Sequence, residues 1–233
     1  MLVIVDMQNQ ILDEENEAYV PDGAALVKRI AKRLEQARAD GEYILHTRDI
    51  PIEVKGTPDE EADALQLIPE LKPLENEKVV KKYYYSIPPE VLIDIKKNLF
   101  EPEEEKKIEI TGVETNICVL SNTIEIQSAF PDADFTINKT LVAGKNHESQ
   151  GLDILRDFNV QIIDGTKQTN DQWVTKAPCS RNRELFQFDY SFNSLSHLIA
   201  RSEFQSEPHF QSDSLDIRRF LRWLPSLPRK HNE

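Results

Sequence analysis

Three polar residues, Asp6, Lys82 and Cys118, each stand where an apolar run gives way to polar sequence or to the opening of a helix. Cys118 is the candidate nucleophile. A free thiol with a pKa near ~8.5 is mostly protonated at neutral pH, so a reactive one needs a base, a cation or the positive end of a helix beside it. Its place shortly after Gly112, in the first turn of a predicted helix, sets it near unpaired backbone N–H groups whose partial charge favours thiolate. Asp6 is the candidate proton acceptor, and Lys82 the cation that stabilises thiolate and keeps a neighbouring carboxylate ionised. Taken singly, each residue has a plain explanation. Free cysteine is among the most buried residue types, an aspartate after a strand is often a helix cap or faces water, and Lys82 in the pair Lys81–Lys82 reads as a solvated charge.

For the three to meet, the intervening elements must return each of them to one edge of a sheet. Leu2 to Met7 is a short, almost wholly apolar run interrupted by a carboxylate, as expected of a parallel strand buried on both faces. From Asp22 to Ala39, apolar residues at Ala25, Leu26, Ile30, Leu34 and Ala37 make a helical stripe, and Gly41 follows as a stop. Further strands read at Tyr43 to Thr47, Lys78 to Lys81, Lys107 to Thr111, Asp134 to Asn138 and Val160 to Asp164. A weak helical segment follows the loop of Gly56, Thr57 and Pro58. Pro88 and Pro89 open a helix through Phe100, and two more run from about Asn116 to Ala129 and from about Glu148 to Phe158. These units predict an α/β fold class: three layers, α/β/α, around a six-stranded parallel, Rossmann-like sheet with right-handed crossovers. Ligands in such folds sit beyond the carboxyl ends of the strands, near the reversal of strand order.

The stretches VIVDMQNQIL at 3–12, KYYYS at 82–86 and TGVETNICV at 111–119, in this order, resemble the catalytic elements of the isochorismatase-like cysteine hydrolase superfamily, to which nicotinamidases are related. TRD at 47–49 and GTP at 56–58 match more weakly, and the resemblance covers roughly residues 1–165. It implies Asp6, Lys82 and Cys118 as the catalytic set, with Asp6 taking the thiol proton and returning it to the leaving amine. It further implies a cis peptide without proline between Val113 and Glu114, and the backbone N–H groups of Glu114 and Cys118 as an oxyanion hole. The implied reaction is hydrolysis of a small-molecule amide or related carbonyl C–N bond through a Cys118 thioester, without a cofactor. Relatives commonly assemble into oligomers, so a homo-oligomer is expected.

The departures narrow this. Nicotinamidases of the superfamily carry a metal site just after the second strand, where an aspartate is followed by histidines; here Asp49 is followed by no His before residue 147, so no metal ligand is expected. Isochorismatases proper usually lack the cysteine, and its presence shifts the expectation toward amide or ureido carbonyls. The Ser-Ala-Phe element of relatives reads Ser86, Ile87, Pro88, which changes the pocket wall. Tyr83 and Tyr85 are candidate substrate-binding residues, with plain packing the alternative for an aromatic run beside a strand. His147 and Glu148 read as the cap of the last helix, and His46 as a hydrogen-bonded core histidine.

Composition sets the outer bounds. A formal charge of -13 argues against a nucleic-acid surface, which needs clustered Lys and Arg. The two cysteines, Cys118 and Cys179, are too few for a secreted disulfide scaffold, and no basic leader or membrane-length apolar run stands out, so the expectation is a cytoplasmic protein without membrane or nucleic-acid partners. The balance of charge changes near Thr175: all seven glycines precede it, and acidic excess gives way to slight basic excess. Residues 1–165 are read as the hydrolase domain, 166–175 as a linker and 176–233 as a loosely ordered appendage, for which an out-of-frame stretch would look similar. Ser214 to Leu224 could form a basic amphipathic helix. Three alternatives stand beside the amidohydrolase reading: a catalytically silent binding or scaffold protein, a metal-independent nicotinamidase-like enzyme, and a tail that binds a membrane or partner.

Overall fold

The first apolar run forms β1, Leu2–Val5, with every residue buried. A computed structural model of the chain describes residues 1–99 and 106–165. After β1 come α1 (Gly23–Ala39), β2 (Ile44–Asp49), β3 (Lys78–Lys82), α2 (Pro89–Leu99), β4 (Lys107–Val113), α3 (Leu120–Ala129), β5 (Asp134–Asn138), β6 (Val142–Ala143), α4 (Glu148–Asp157) and β7 (Gln161–Ile163). The strands pair in parallel in the order β3-β2-β1-β4-β5-β7, with β6 pairing β4. The chain builds outward from β1 through β2 to β3, then returns to lay β4 on the other side of β1. That reversal puts the carboxyl ends of β1 and β4 side by side at the place where such folds bind ligands.

β1 is apolar throughout because both sheet faces are covered. Val3 and Val5 join a core with Leu92 and Ile95 of α2, Ile126 of α3, and Leu152 and Leu155 of α4. Leu2 and Ile4 point the other way, into a core with Leu26, Ile30, Leu34 and Ala37 of α1. The three-layer α/β/α expectation holds, with one correction: the sheet has seven strands rather than six. The added one, β6, is two residues long, too short to register as an apolar run, and pairs with Gly112 and Val113. The weak helical segment after Pro58 is instead a series of short 3-10 turns, Pro58–Glu61, Asp63–Leu65 and Pro69–Leu71, in a stretch punctuated by prolines. No helix among the described residues is long and apolar enough to cross a membrane. The expected linker and appendage, including Ser214 to Leu224 and Cys179, lie outside the described residues.

His46 is the buried core histidine its strand position suggests. Its ring is fully buried, with Nε2 3.2 Å from Glu77 Oε2, while Arg38 of α1 donates to Glu77 Oε1 at 2.7 Å. Burial holds the imidazole pKa below its ordinary value, against the opposing pull of Glu77. The unfolded chain therefore binds more protons as pH falls below the ordinary imidazole pKa of ~6.5, so this group's contribution to stability is present above that pH and lost beneath it. Glu77 acts in the same direction: burial alone would raise its pKa, but hydrogen bonds from Arg38, the Leu74 N–H and His46 hold it below the usual carboxylate range. Thermal unfolding should show Tm falling between about pH 7.5 and about pH 5.5, with a shallower fall in His46→Asn; parallel slopes for the two proteins would contradict this.

Candidate active site

Each candidate residue is delivered by a local feature at the sheet's carboxyl rim. β1 stops at Val5 because Asp6 turns into the left-handed region, with φ of +52°. Opposite it, Gly112 pairs with Val5 at φ of +110°, where a Cβ would lie 2.1 Å from the Val5 carbonyl oxygen. Only glycine lets β4 approach β1 so closely there. The Val113–Glu114 peptide is cis. The predicted helix then opens as a turn of π-helix, Thr115–Val119, in which the N–H groups of Ile117 and Val119 donate to the Glu114 carbonyl. Cys118 sits on this turn, is buried and forms no disulfide. Gly151 of α4 packs against the turn, where a Cβ would come within 2.8 Å of the Asn116 backbone.

Lys82 arrives from the end of β3, two strands away from β1, and is fully buried. Its ammonium lies 2.8 Å from Asp6 Oδ2, 2.9 Å from Asp49 Oδ1 and 3.6 Å from Cys118 Sγ, and donates to the Tyr84 carbonyl at 3.2 Å. One donor atom each from Asp6, Asp49 and Cys118 fall within 4.8 Å of one another. Asp6, Lys82 and Cys118, far apart in sequence, thus share one cluster. Asp49 gives it an outlet: its side chain is 42% exposed, whereas those of Asp6 and Lys82 are 8% and 0%.

Thr47 and Gln8 set the carboxylates. The Thr47 hydroxyl donates to Asp6 Oδ1 at 2.6 Å while accepting from the Asp6 N–H at 3.1 Å. Gln8, fully buried, accepts from the Asp49 N–H and donates to the Asp49 and Leu65 carbonyls, fixing the backbone that carries the second carboxylate. Asn122, also fully buried, donates to the carbonyls of Cys118 and Tyr85 and accepts from the Ile87 N–H, so it staples the turn that carries Cys118 to the segment after Lys82. Thr47, Gln8 and Asn122 were not among the sequence candidates. Their signals were slight: Thr47 and Asp49 belong to the weakly matching TRD, Gln8 follows Asp6 by two, and Asn122 is a polar residue four positions after Cys118.

The electrostatics separate two aids to the thiol. Burial pushes the Asp6 carboxyl above the usual range, opposed by Lys82 and the Thr47 hydrogen bond, which suits a proton acceptor. Burial, then the negative charge of Asp6, pushes the Cys118 thiol up, with Lys82 pulling the other way. Lys82 stays an ammonium: burial would lower its pKa, but Asp6, Cys118 and Asp49 together raise it. Burial and Asp6 thus oppose ionisation of the thiol, and Lys82 favours it. Of the aids expected from sequence, the cation stands beside the sulfur, and burial and the charge of Asp6 oppose it.

The other candidates fall at differing distances from this cluster. Tyr83 is half-buried, its hydroxyl donating to Glu60 at 3.1 Å and its ring beneath Lys55. Tyr85 is 47% exposed and lies against Tyr84, ring centroids 4.4 Å apart. Glu114 pairs its side chain with Lys145 at 3.7 Å. His147 is the N-cap of α4 in the left-handed region, without a side-chain cap bond. The surface clefts beside α1 and at the start of α4 are lined by other residues, among them Leu12 and Val27 in one and Lys139 and Arg156 in the other.

Whether a divalent metal fits is decided by the donor set. Asp6, Asp49 and Cys118 are close enough to share an ion, but the Lys82 ammonium already lies among them. No imidazole joins them among the described residues: Asp49 is followed by Ile50 and Pro51, His46 is bonded to Glu77, and His147 heads α4. The residues do not fit a histidine-ligated metal.

The family model described as the isochorismatase domain matches residues 1–129. Among curated proteins, none matches the chain. Solved structures with similar folds include the following three. An isochorismatase-like hydrolase from Alkaliphilus metalliredigens is 21% identical, with a TM-score of 0.58, over 70% of this chain and 92% of its own. A pyrazinamidase of Pyrococcus horikoshii in complex with zinc is 18% identical, with a TM-score of 0.57, over 70% and 97%. The pyrazinamidase/nicotinamidase of Streptococcus mutans is 18% identical, with a TM-score of 0.57, over 70% and 98%. The family match spans more than half of the sequence and falls on the segments that deliver the aspartate, the lysine and the cysteine, and the chain belongs to the isochorismatase family of hydrolases.

Proposed function

We propose that this hydrolase cleaves a small-molecule amide or related carbonyl C–N bond through a thioester on Cys118. The observation that carries the reading is the single ammonium of Lys82 in reach of both Asp6 and the Cys118 sulfur. Asp6 takes the thiol proton as sulfur attacks the carbonyl carbon, and the oxyanion is received by the backbone N–H groups of Glu114 and Cys118. Collapse breaks the C–N bond, and the amine departs with the proton from Asp6, leaving the thioester. Water then gives a proton to Asp6 as its oxygen attacks the thioester. The acid leaves, and sulfur recovers its proton from Asp6. Lys82 remains charged throughout and limits the cost of negative charge on sulfur.

Tyr83 and Tyr85 are proposed to face the substrate. Tyr85, exposed with Tyr84, offers a flat apolar surface, while Glu60 tethers Tyr83. The donor set does not fit a histidine-ligated metal, so the nicotinamidase-like variant of this reading is a metal-independent one. A homo-oligomer in the cytoplasm completes the proposal, resting on the family resemblance and on the two-cysteine composition. The silent-scaffold alternative draws on the burial of the thiol, which pushes its pKa up.

A turnover screen of small amides, including nicotinamide and carbamoyl compounds, decides between them. Wild type should hydrolyse at least one, Cys118→Ala none, and Asp6→Asn should lose about 10²- to 10⁴-fold in kcat. No turnover by wild type, or undiminished turnover by Cys118→Ala, would overturn the reading. Because Asp6 must be ionised to accept the proton and burial raises its pKa, kcat/KM should fall as pH drops through a value above the ordinary ~3.9 of aspartate. An acid limb at or below that value would contradict the role of Asp6.

A further inference from the structure

The charge count of the cluster bears on which substrates it admits. Two carboxylates, Asp6 and Asp49, share one ammonium, at 2.8 and 2.9 Å. Passing the proton from Cys118 to Asp6 moves charge from oxygen to sulfur and leaves the sum unchanged. The cluster is therefore one negative charge in excess both before and during attack. Most described cations on the neighbouring segments are already bound by carboxylates. Lys81 is bound by Glu60 and Glu61, Arg48 by Glu61 and the Glu60 and Leu65 carbonyls, and Lys145 by Glu114. Lys55 stands over the Tyr83 ring, whose hydroxyl is bonded to Glu60. Asp49 is also the most exposed of the four clustered groups, and its backbone is held in place by Gln8. Of the four groups it is the one most open to an incoming molecule.

We propose that Asp49 is a specificity-determining residue: with Asp6 it leaves the site net negative, so that the enzyme selects uncharged or cationic carboxamides and rejects substrates carrying a carboxylate beside the scissile carbonyl. The inference rests on the thioester reading and names the substrate class it serves. In this chain, the ammonium of Lys82 holds the Asp49 carboxylate at the mouth, where it repels anions and offers an acceptor to an amide N–H or a cation.

Iodoacetamide and iodoacetate differ by one carboxylate and alkylate the same sulfur, so their relative rates read the field at Cys118. The measurement uses the full chain, follows the Cys118 peptide by mass, and takes a small free thiol as reference. Wild type should favour iodoacetamide over iodoacetate by about three- to tenfold more than the reference thiol does, the size expected of one charge several ångströms away. Asp49→Asn should bring the ratio back toward the reference, and Asp49→Glu should retain it. In wild type alone, raising salt from about 0.01 M to about 1 M should erase the excess, as the screening length shrinks from about 30 to about 3 Å. A ratio equal to the reference thiol's, or one that neither Asp49→Asn nor salt alters, would overturn the inference and leave the thioester reading standing. Failure of Cys118 to react with either reagent would overturn both.

Discussion

A positive charge sealed inside the protein organises this site. The Lys82 ammonium is fully buried, and an isolated buried charge is too costly to persist. It is kept by two carboxylates, a carbonyl and the Cys118 sulfur, all within hydrogen-bond range. The partners depend on it in turn, since two carboxylates brought this close would not both remain ionised without a cation between them. Breaking such an arrangement by removing one member commonly costs about 3 to 5 kcal/mol, because the remaining charge is left buried and uncompensated. The same interaction therefore bears on the stability of the rim and on its chemistry.

The sheet is built so that this interaction can form. Reversal of strand order at β1 brings the ends of β1 and β4 together, and Gly112 lets the two backbones close. β3 lies on the far side of β2, so Lys82 reaches back across the end of β2 to Asp6, passing Asp49, its register partner on that strand. Asp49 is thus a consequence of topology as much as of chemistry: a side chain crossing the end of β2 meets the last residue of that strand. Gln8 and Asn122 hold the two flanks through backbone hydrogen bonds.

Much of this was legible in the sequence, for identifiable reasons. β1 showed because both of its faces are buried, which leaves an unbroken apolar run ended by Asp6. The stripe of α1 showed because one face alone packs, through Leu26, Ile30, Leu34 and Ala37. β6 did not show, since two residues held by Gly112 and Val113 carry no period. Nor did the π turn, because the residues Thr115 to Val119 suit an α-helix equally well and only the packing of Gly151 and the Glu114 carbonyl reveals the wider turn. Asp6, Lys82 and Cys118 were visible through their motifs, whereas Thr47, Gln8 and Asn122 act by hydrogen bonds whose partners are distant in the chain. The upward push on the thiol's pKa was hidden for a similar reason: it comes from burial and from the charge of Asp6, neither of which a helix-start position discloses.

The cluster thus holds a thiol whose ionisation burial opposes beside a carboxylate made more basic by burial, with one ammonium moderating both. The most direct test of that central claim is the pH dependence of Cys118 alkylation in full-length wild type and in Lys82→Met, compared at matched helix content. Loss of the ammonium should move the thiol's midpoint upward, slowing alkylation about tenfold at a given pH for each pK unit of displacement. Superimposable profiles would contradict the account, since the sulfur would then be indifferent to the charge on which the site is said to depend.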